Sequence, residues 1–98
     1  MASDAVDDYL KAIFEIAAAG GRASTATLAK KLRVAPASVT GMLRKLSEQD
    51  PPSVIYEKHR GARLSKDGRG RALEVIRHHR LIELYLHANL GYRWDEVH

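Results

Sequence analysis

The sequence of 98 residues predicts a single, mainly α-helical unit with a small β-hairpin. Apolar residues recur at helical spacing over residues 6–17, 26–46 and 73–90. A run of β-branched and aromatic residues, 54–57, lies between two prolines and a turn that contains glycine. Glycine or proline also falls at most of the expected element boundaries.

The first helix is predicted from Val6, Leu10, Ile13 and Ala17, which fall on one helix face. Gly20-Gly21 ends it, because glycine readily takes the left-handed conformation that follows a helix.

Two short helices are predicted next. The first begins at Ser24 or Thr25, and its apolar members are Ala26, Leu28, Ala29 and Leu32. Pro36 suits the first position of the second, where its missing N–H has no partner to lose. This helix buries Val39, Met42 or Leu43, and Leu46, and it must end before Pro51-Pro52. Two short helices joined by about three residues are typical of a helix-turn-helix.

A hairpin follows, with strands at 54–57 and 62–64 and a polar turn at 58–61. A hairpin directly after a helix-turn-helix is a wing, so the predicted fold is a winged helix-turn-helix followed by a long helix. Ser65 caps that helix and Gly91 ends it. Gly68 and Gly70 each cost about 1 kcal/mol relative to alanine in a helix interior, so they disfavour its first turns.

Charge is unevenly distributed. There are 16 Lys+Arg and 12 Asp+Glu, a net charge of +4. The first fifteen residues are acidic, whereas the stretch 22–45 has no acid and contains Arg22, Lys30, Lys31, Arg33, Arg44 and Lys45. Such a stretch is either a phosphate-binding surface or a solvated face.

Cysteine is absent, which excludes disulfides and thiolate metal sites and fits a reducing cytoplasm. No apolar run is long enough for a bilayer, and the acidic amino terminus is unlike a secretory signal. We therefore expect a cytoplasmic protein without membrane contact.

The outward positions of the third helix predict contact with double-stranded DNA. Small and hydroxyl residues at its amino-terminal end allow close approach to a groove, and basic residues follow at its other end. These residues are Ala37, Ser38, Thr40, Gly41, Arg44 and Lys45. The start of the second helix adds phosphate contacts from Thr25, the Ala26 N–H and Thr27. Arg60 at the wing tip reaches a phosphate or a minor groove.

Other functions remain open at this point. The same residues are compatible with an ordinary exposed surface, or with a winged helix that mediates protein assembly. An enzyme is not expected, because the sequence offers no Ser/His/Asp or Cys/His arrangement and no phosphate loop.

Five motifs occur in order along the chain: DYLKAI (8–13), APASVTGML (35–43), RGARL (60–64), HHRLIE (78–83) and GYRWDEVH (91–98). Together they resemble the diphtheria toxin repressor family, which includes iron-dependent repressors and manganese transport regulators. The resemblance implies a homodimer that binds a palindromic operator when loaded with Fe²⁺ or Mn²⁺ and represses metal-uptake genes. It divides the chain into a winged helix-turn-helix domain, 1–72, and the start of a metal-binding and dimerisation region, 73–98, which looks truncated.

The resemblance also implies metal ligands at Asp8, His79, Glu83 and His98. His79 and Glu83 are four residues apart and so share a helix face, which suits either one metal ion or an ordinary hydrogen bond. Imidazole and carboxylate ligands are also compatible with Co²⁺, Ni²⁺ or Zn²⁺. Lys11 departs from the pattern, because manganese-type relatives can carry a second acidic ligand there. A winged-helix regulator without metal sensing is the alternative.

Overall fold

The computed structural model describes residues 3–97, and the side chains of residues 5–89. It confirms the predicted fold class. In chain order the elements are α1 (Ser3–Ala18), α2 (Thr25–Leu32), α3 (Pro36–Ser47), β1 (Val54–Glu57), β2 (Gly61–Leu64) and α4 (Lys66–Val97). One boundary is wrong: α4 continues through Gly91, because a single glycine weakens a helix by only about 1 kcal/mol and does not by itself end it.

The end of α1 is set by the predicted glycine pair. Gly20 has a φ of 83°, and its N–H donates to Ala17 O at 3.0 Å. The Gly21 N–H donates to Ile16 O at 2.9 Å. These two bonds are those of a Schellman motif, which satisfies the last carbonyls of the helix.

The turn between α2 and α3 sets the relative position of the two helices of the helix-turn-helix. Ser24 caps α2, its Oγ accepting from the Thr27 N–H at 3.1 Å. Arg33 ends α2 in the left-handed conformation, with a φ of 58°, although glycine is more usual there. Pro36 is the first residue of α3, as predicted.

The wing is an antiparallel pair in which Val54 lies opposite Leu64 and Glu57 opposite Gly61. Ala23, just before α2, adds a bridge to Ala62, whose N–H donates to Ala23 O at 2.9 Å. This bridge joins the wing to the helix-turn-helix and fixes where the hairpin points.

The packing at the start of α4 explains why glycine occurs at a position where helix propensity disfavours it. Ser65 Oγ accepts from the Gly68 N–H at 3.0 Å and donates to Pro52 O at 2.6 Å. Gly68 is buried, and a Cβ added there would overlap the carbonyl oxygen of Ser53. Glycine at this position therefore lets α4 lie directly against the loop before β1.

The core is formed by α1, α2, α3, the wing and the first turns of α4. Its largest fully buried side chains are Leu10, Ile13, Leu28, Leu43, Leu46, Val39 and Val54. Of the two candidates in α3, Leu43 is buried and Met42 only half-buried. Ala72 is the last residue of the core cluster, and α4 then continues with exposed apolar side chains. Within the described residues, no helix combines the length and low charge needed to span a bilayer.

Candidate nucleic-acid interface and metal-ligand residues

The outer face of α3 is exposed except at Thr40. Val39, Leu43 and Leu46 anchor the opposite face at 0% exposure, so the helix lies with its polar side outward. Thr40 alone is half-buried, and its Oγ1 donates to Pro36 O at 3.2 Å. The other predicted residues of α3 are exposed: Ala37, Ser38, Gly41, Arg44 and Lys45.

Gly41 leaves open space in the middle of this face, since a Cβ built there meets nothing within 4 Å. The small residues therefore leave the backbone of the amino-terminal half of α3 open to close approach. Arg44 and Lys45 lie in its last turn. Positive charge at this end also complements the helix dipole.

The start of α2 lies beside the wing. Ala26 and Thr27 are exposed and Thr25 is half-buried. Ser24 Oγ takes the Thr27 N–H and donates to Thr27 Oγ1 at 2.8 Å. The predicted phosphate contact by Thr27 thus has to come from its hydroxyl, while the Ala26 N–H stays at the exposed positive end of the helix.

Two wing residues that the sequence reasoning did not select lie close to this helix end. Lys58 and His59 line a groove of about 360 Å³ together with Ser24, Thr25 and Ala26. Their position in the polar hairpin turn was visible in the sequence. Their proximity to α2 was not, because it depends on the bridge between Ala23 and Ala62.

Arg60 is exposed at the wing tip, as predicted. It lines a second groove of about 290 Å³ with Arg22 and Arg63. Arg63 also pairs loosely with Glu57, its Nε lying 3.8 Å from the carboxylate. The wing and the segment before α2 thus add several cations to those of α3.

Within the part of the chain that the structure describes, the predicted metal ligands do not form one centre. Asp8 on α1 and Glu83 on α4 are exposed, whereas His79 is half-buried at the α1–α4 junction. His79 Nδ1 lies 3.2 Å from the Lys11 ammonium nitrogen. Among the described residues, no group of three or more His, Cys, Asp or Glu side chains is placed to hold a metal ion. His98 lies outside the described residues.

A charged pair and a cation–π contact also link α1 to α4. Arg71 Nε donates to Asp7 at 3.1 Å, and the Arg69 guanidinium lies 6.0 Å from the centre of the Phe14 ring. These contacts and the apolar core hold the start of α4 on α1.

Comparison with known proteins agrees with this architecture. Residues 1–62 match the model of the iron dependent repressor N-terminal DNA binding domain. Residues 65–98 match that of the iron dependent repressor metal binding and dimerisation domain. The two matches together cover nearly the whole chain.

Individual relatives are HTH-type transcriptional regulators named MntR. Those of Bacillus subtilis (strain 168), Geobacillus kaustophilus and Listeria monocytogenes serotype 4b are each 33% identical over 86 residues, or 88% of this chain. The chain spans 59–60% of the length of these relatives. With both family models matched in order on the fold described above, the chain belongs to the iron-dependent repressor family.

Proposed function

We propose that the whole protein is a transcriptional regulator that binds double-stranded DNA and responds to a divalent transition metal. The proposal rests on the exposed outer face of α3, which has small side chains at its amino-terminal end and basic side chains in its last turn. The major groove of B-DNA is wide enough for an α-helix, and small side chains let the helix backbone approach the base edges. The proposed activity is binding, with no catalytic step.

In this proposal each element has its own contact. Ala37, Ser38, Thr40 and Gly41 face base edges, while Arg44 and Lys45 meet phosphates. Thr25, Thr27 and the Ala26 N–H hold a phosphate at the start of α2. Arg60 in the wing reaches the backbone or a minor groove beyond the α3 contact.

The partner copy is proposed to dock on the second half of α4. Leu81, Leu84 and Tyr85 are 58%, 54% and 66% exposed, and their spacing places them on one helix face. A homodimer built on this face would present two α3 helices to a palindromic operator, with half-sites about 34–36 Å apart or a multiple of that distance. We retain the division at residues 72 and 73, because Ala72 is the last core residue and Leu73 is 43% exposed.

The metal is proposed to be Fe²⁺ or Mn²⁺, with Co²⁺, Ni²⁺ or Zn²⁺ as substitutes in vitro. Asp8, His79, Glu83 and His98 are the proposed ligands, and a bound ion would supply a cross-link between α1 and α4. The described residues do not form that centre by themselves, and the Lys11 ammonium group lies against His79. Repression of metal-uptake genes in the cytoplasm is the role that this arrangement serves.

Fluorescence anisotropy with mixed-sequence duplex DNA tests the DNA-binding proposal. Each phosphate contact contributes about 0.9 to the slope of log K against log salt, so removing one weakens binding most at low salt. We expect Arg44→Ala and Arg60→Ala each to flatten the slope by about 0.9. Between about 50 and 200 mM salt this is a difference of about 3.5-fold per contact.

Arg77→Ala is the matched control, because Arg77 is also an exposed arginine and lies on α4 beyond the last core residue, Ala72. An unchanged slope in all three variants would contradict the proposed interface. Complete absence of salt-dependent binding by the wild type would instead favour a winged helix that assembles with other proteins.

A further inference from the structure

The contact between Lys11 and His79 is a direct polar link between α1 and α4. The Lys11 ammonium nitrogen lies 3.2 Å from His79 Nδ1 in a partly buried setting, and the two residues are 68 positions apart in the chain. Among the described residues, no carboxylate lies within ion-pair distance of Lys11. His79 is therefore the polar partner that the fold gives to this ammonium group.

The chemistry of the pair determines which ring nitrogen of His79 carries the proton. A lysine ammonium has three donors and no acceptor, so His79 Nδ1 must be the acceptor. A neutral imidazole that accepts at Nδ1 carries its proton on Nε2. Neither nitrogen then offers a free lone pair, and a metal ligand needs one.

We propose that Lys11 is a tethered cation that clamps α1 to α4 in the metal-free protein and competes with divalent metal ions for His79. While this contact persists, the ammonium group covers the lone pair of His79 Nδ1. A cation held by His79 would be repelled by the ammonium group in this partly buried setting, so Lys11 would disfavour metal binding there. The clamp rests on the observed contact alone, whereas the competition also rests on the proposed metal response.

The surrounding contacts allow Lys11 to be replaced without losing the fold. Asp7 and Arg71 join the same two helices at 3.1 Å, and Leu10 and Ile13 hold α1 in the core at 0% and 1% exposure. Lys11→Met keeps the length and the apolar stem of the side chain and removes only its charge. We expect this variant to fold as the wild type does.

The clamp is tested in the metal-free protein. Two-bond ¹H–¹⁵N correlation spectra, recorded with a chelator at about pH 8, where an ordinary imidazole is neutral, report which ring nitrogen of each histidine carries the proton. We expect His79 to carry its proton on Nε2 in the wild type, with Nδ1 showing the ¹⁵N shift of a hydrogen-bond acceptor. In Lys11→Met that Nδ1 shift should move to the value of an unbonded imidazole nitrogen. His79→Gln assigns the signal, and His59 serves as an exposed internal control. An Nδ1–H tautomer, or the same spectrum in both proteins, would overturn the clamp.

Competition is tested by calorimetric titration with Mn²⁺. We expect Lys11→Met to bind Mn²⁺ at least about tenfold more tightly than the wild type, because removing a neighbouring like charge favours the ion. Adding His79→Ala to that variant should remove the gain. Lys30→Met, at an exposed lysine of α2, should bind as the wild type does.

Equal affinity in Lys11→Met and the wild type would overturn the competition. If neither protein binds Mn²⁺, both the competition and the metal response of this chain fail. In that case the spectra of His79 still test whether Lys11 clamps α1 to α4.

Discussion

The close approach of α4 to the loop before β1 gives opposite predictions for two glycines in one helix. Gly68 is buried, and a Cβ there would overlap the carbonyl oxygen of Ser53, whereas a Cβ at Gly70 meets nothing within 4 Å. Alanine is favoured over glycine in a helix by about 1 kcal/mol at either position. The two substitutions therefore gain the same helix propensity, and only the one at Gly68 disturbs the contact with Ser53.

The cost at Gly68 has two parts. Moving α4 away from the loop strains a packed site, which costs about 1–3 kcal/mol. It also lengthens the 3.0 Å hydrogen bond from the Ser65 N–H to Ser53 O, which costs about 1 kcal/mol more. After the gain in helix propensity, we expect Gly68→Ala to be destabilised by about 1–3 kcal/mol and Gly70→Ala to be stabilised by about 1 kcal/mol.

Urea denaturation followed by circular dichroism measures both free energies of unfolding, and thermal denaturation provides a second readout. For a domain of this size, 1 kcal/mol shifts Tm by about 4–8 °C, so the two variants should differ by at least about 8 °C. A Gly68→Ala protein as stable as Gly70→Ala would refute the packing of α4 described above.

Two further predictions concern single buried or capping groups. Burial raises the pKa of the Tyr9 hydroxyl above its ordinary value of 10.0, so the unfolded chain loses this proton at a lower pH than the folded protein. The contribution of the buried neutral hydroxyl to stability is therefore complete below pH 10.0 and is lost as the pH rises through the folded-state pKa. The free energy of unfolding of the wild type should therefore fall more steeply than that of Tyr9→Phe between about pH 9 and pH 11; parallel curves would contradict this. Ser65→Ala removes the cap of α4 and should cost about 1–2 kcal/mol in urea denaturation, whereas the exposed Ser38→Ala should stay within about 0.5 kcal/mol. Equal losses in these two serine variants would rule out a special role for the cap.

Local signals in the sequence were enough to predict most boundaries. Gly20-Gly21 ends α1 and Pro36 begins α3, because backbone restrictions act on the residue itself and its immediate neighbours. Gly91 shows the limit of such signals. A helix continues through a glycine when the residues on both sides favour it, so glycine alone is a weak stop signal.

The exposed face of α3 could also be predicted, since helical periodicity separates buried from outward positions. Lys58 and His59 were not selected, although both lie near the start of α2. Their placement depends on the pairing of Ala23 with Ala62, which joins segments that are distant in the chain. The predicted DNA and metal ligands themselves remain predictions.

Local patterns along the chain predict the order of the helices and strands and the polar face of α3, because periodicity and turn chemistry are local properties. The reason for a glycine at position 68 and the side chain that contacts His79 are visible only in the folded protein. Both depend on segments that are far apart in the chain and come within contact distance only when the core forms. Packing geometry, which no local pattern encodes, sets those contacts.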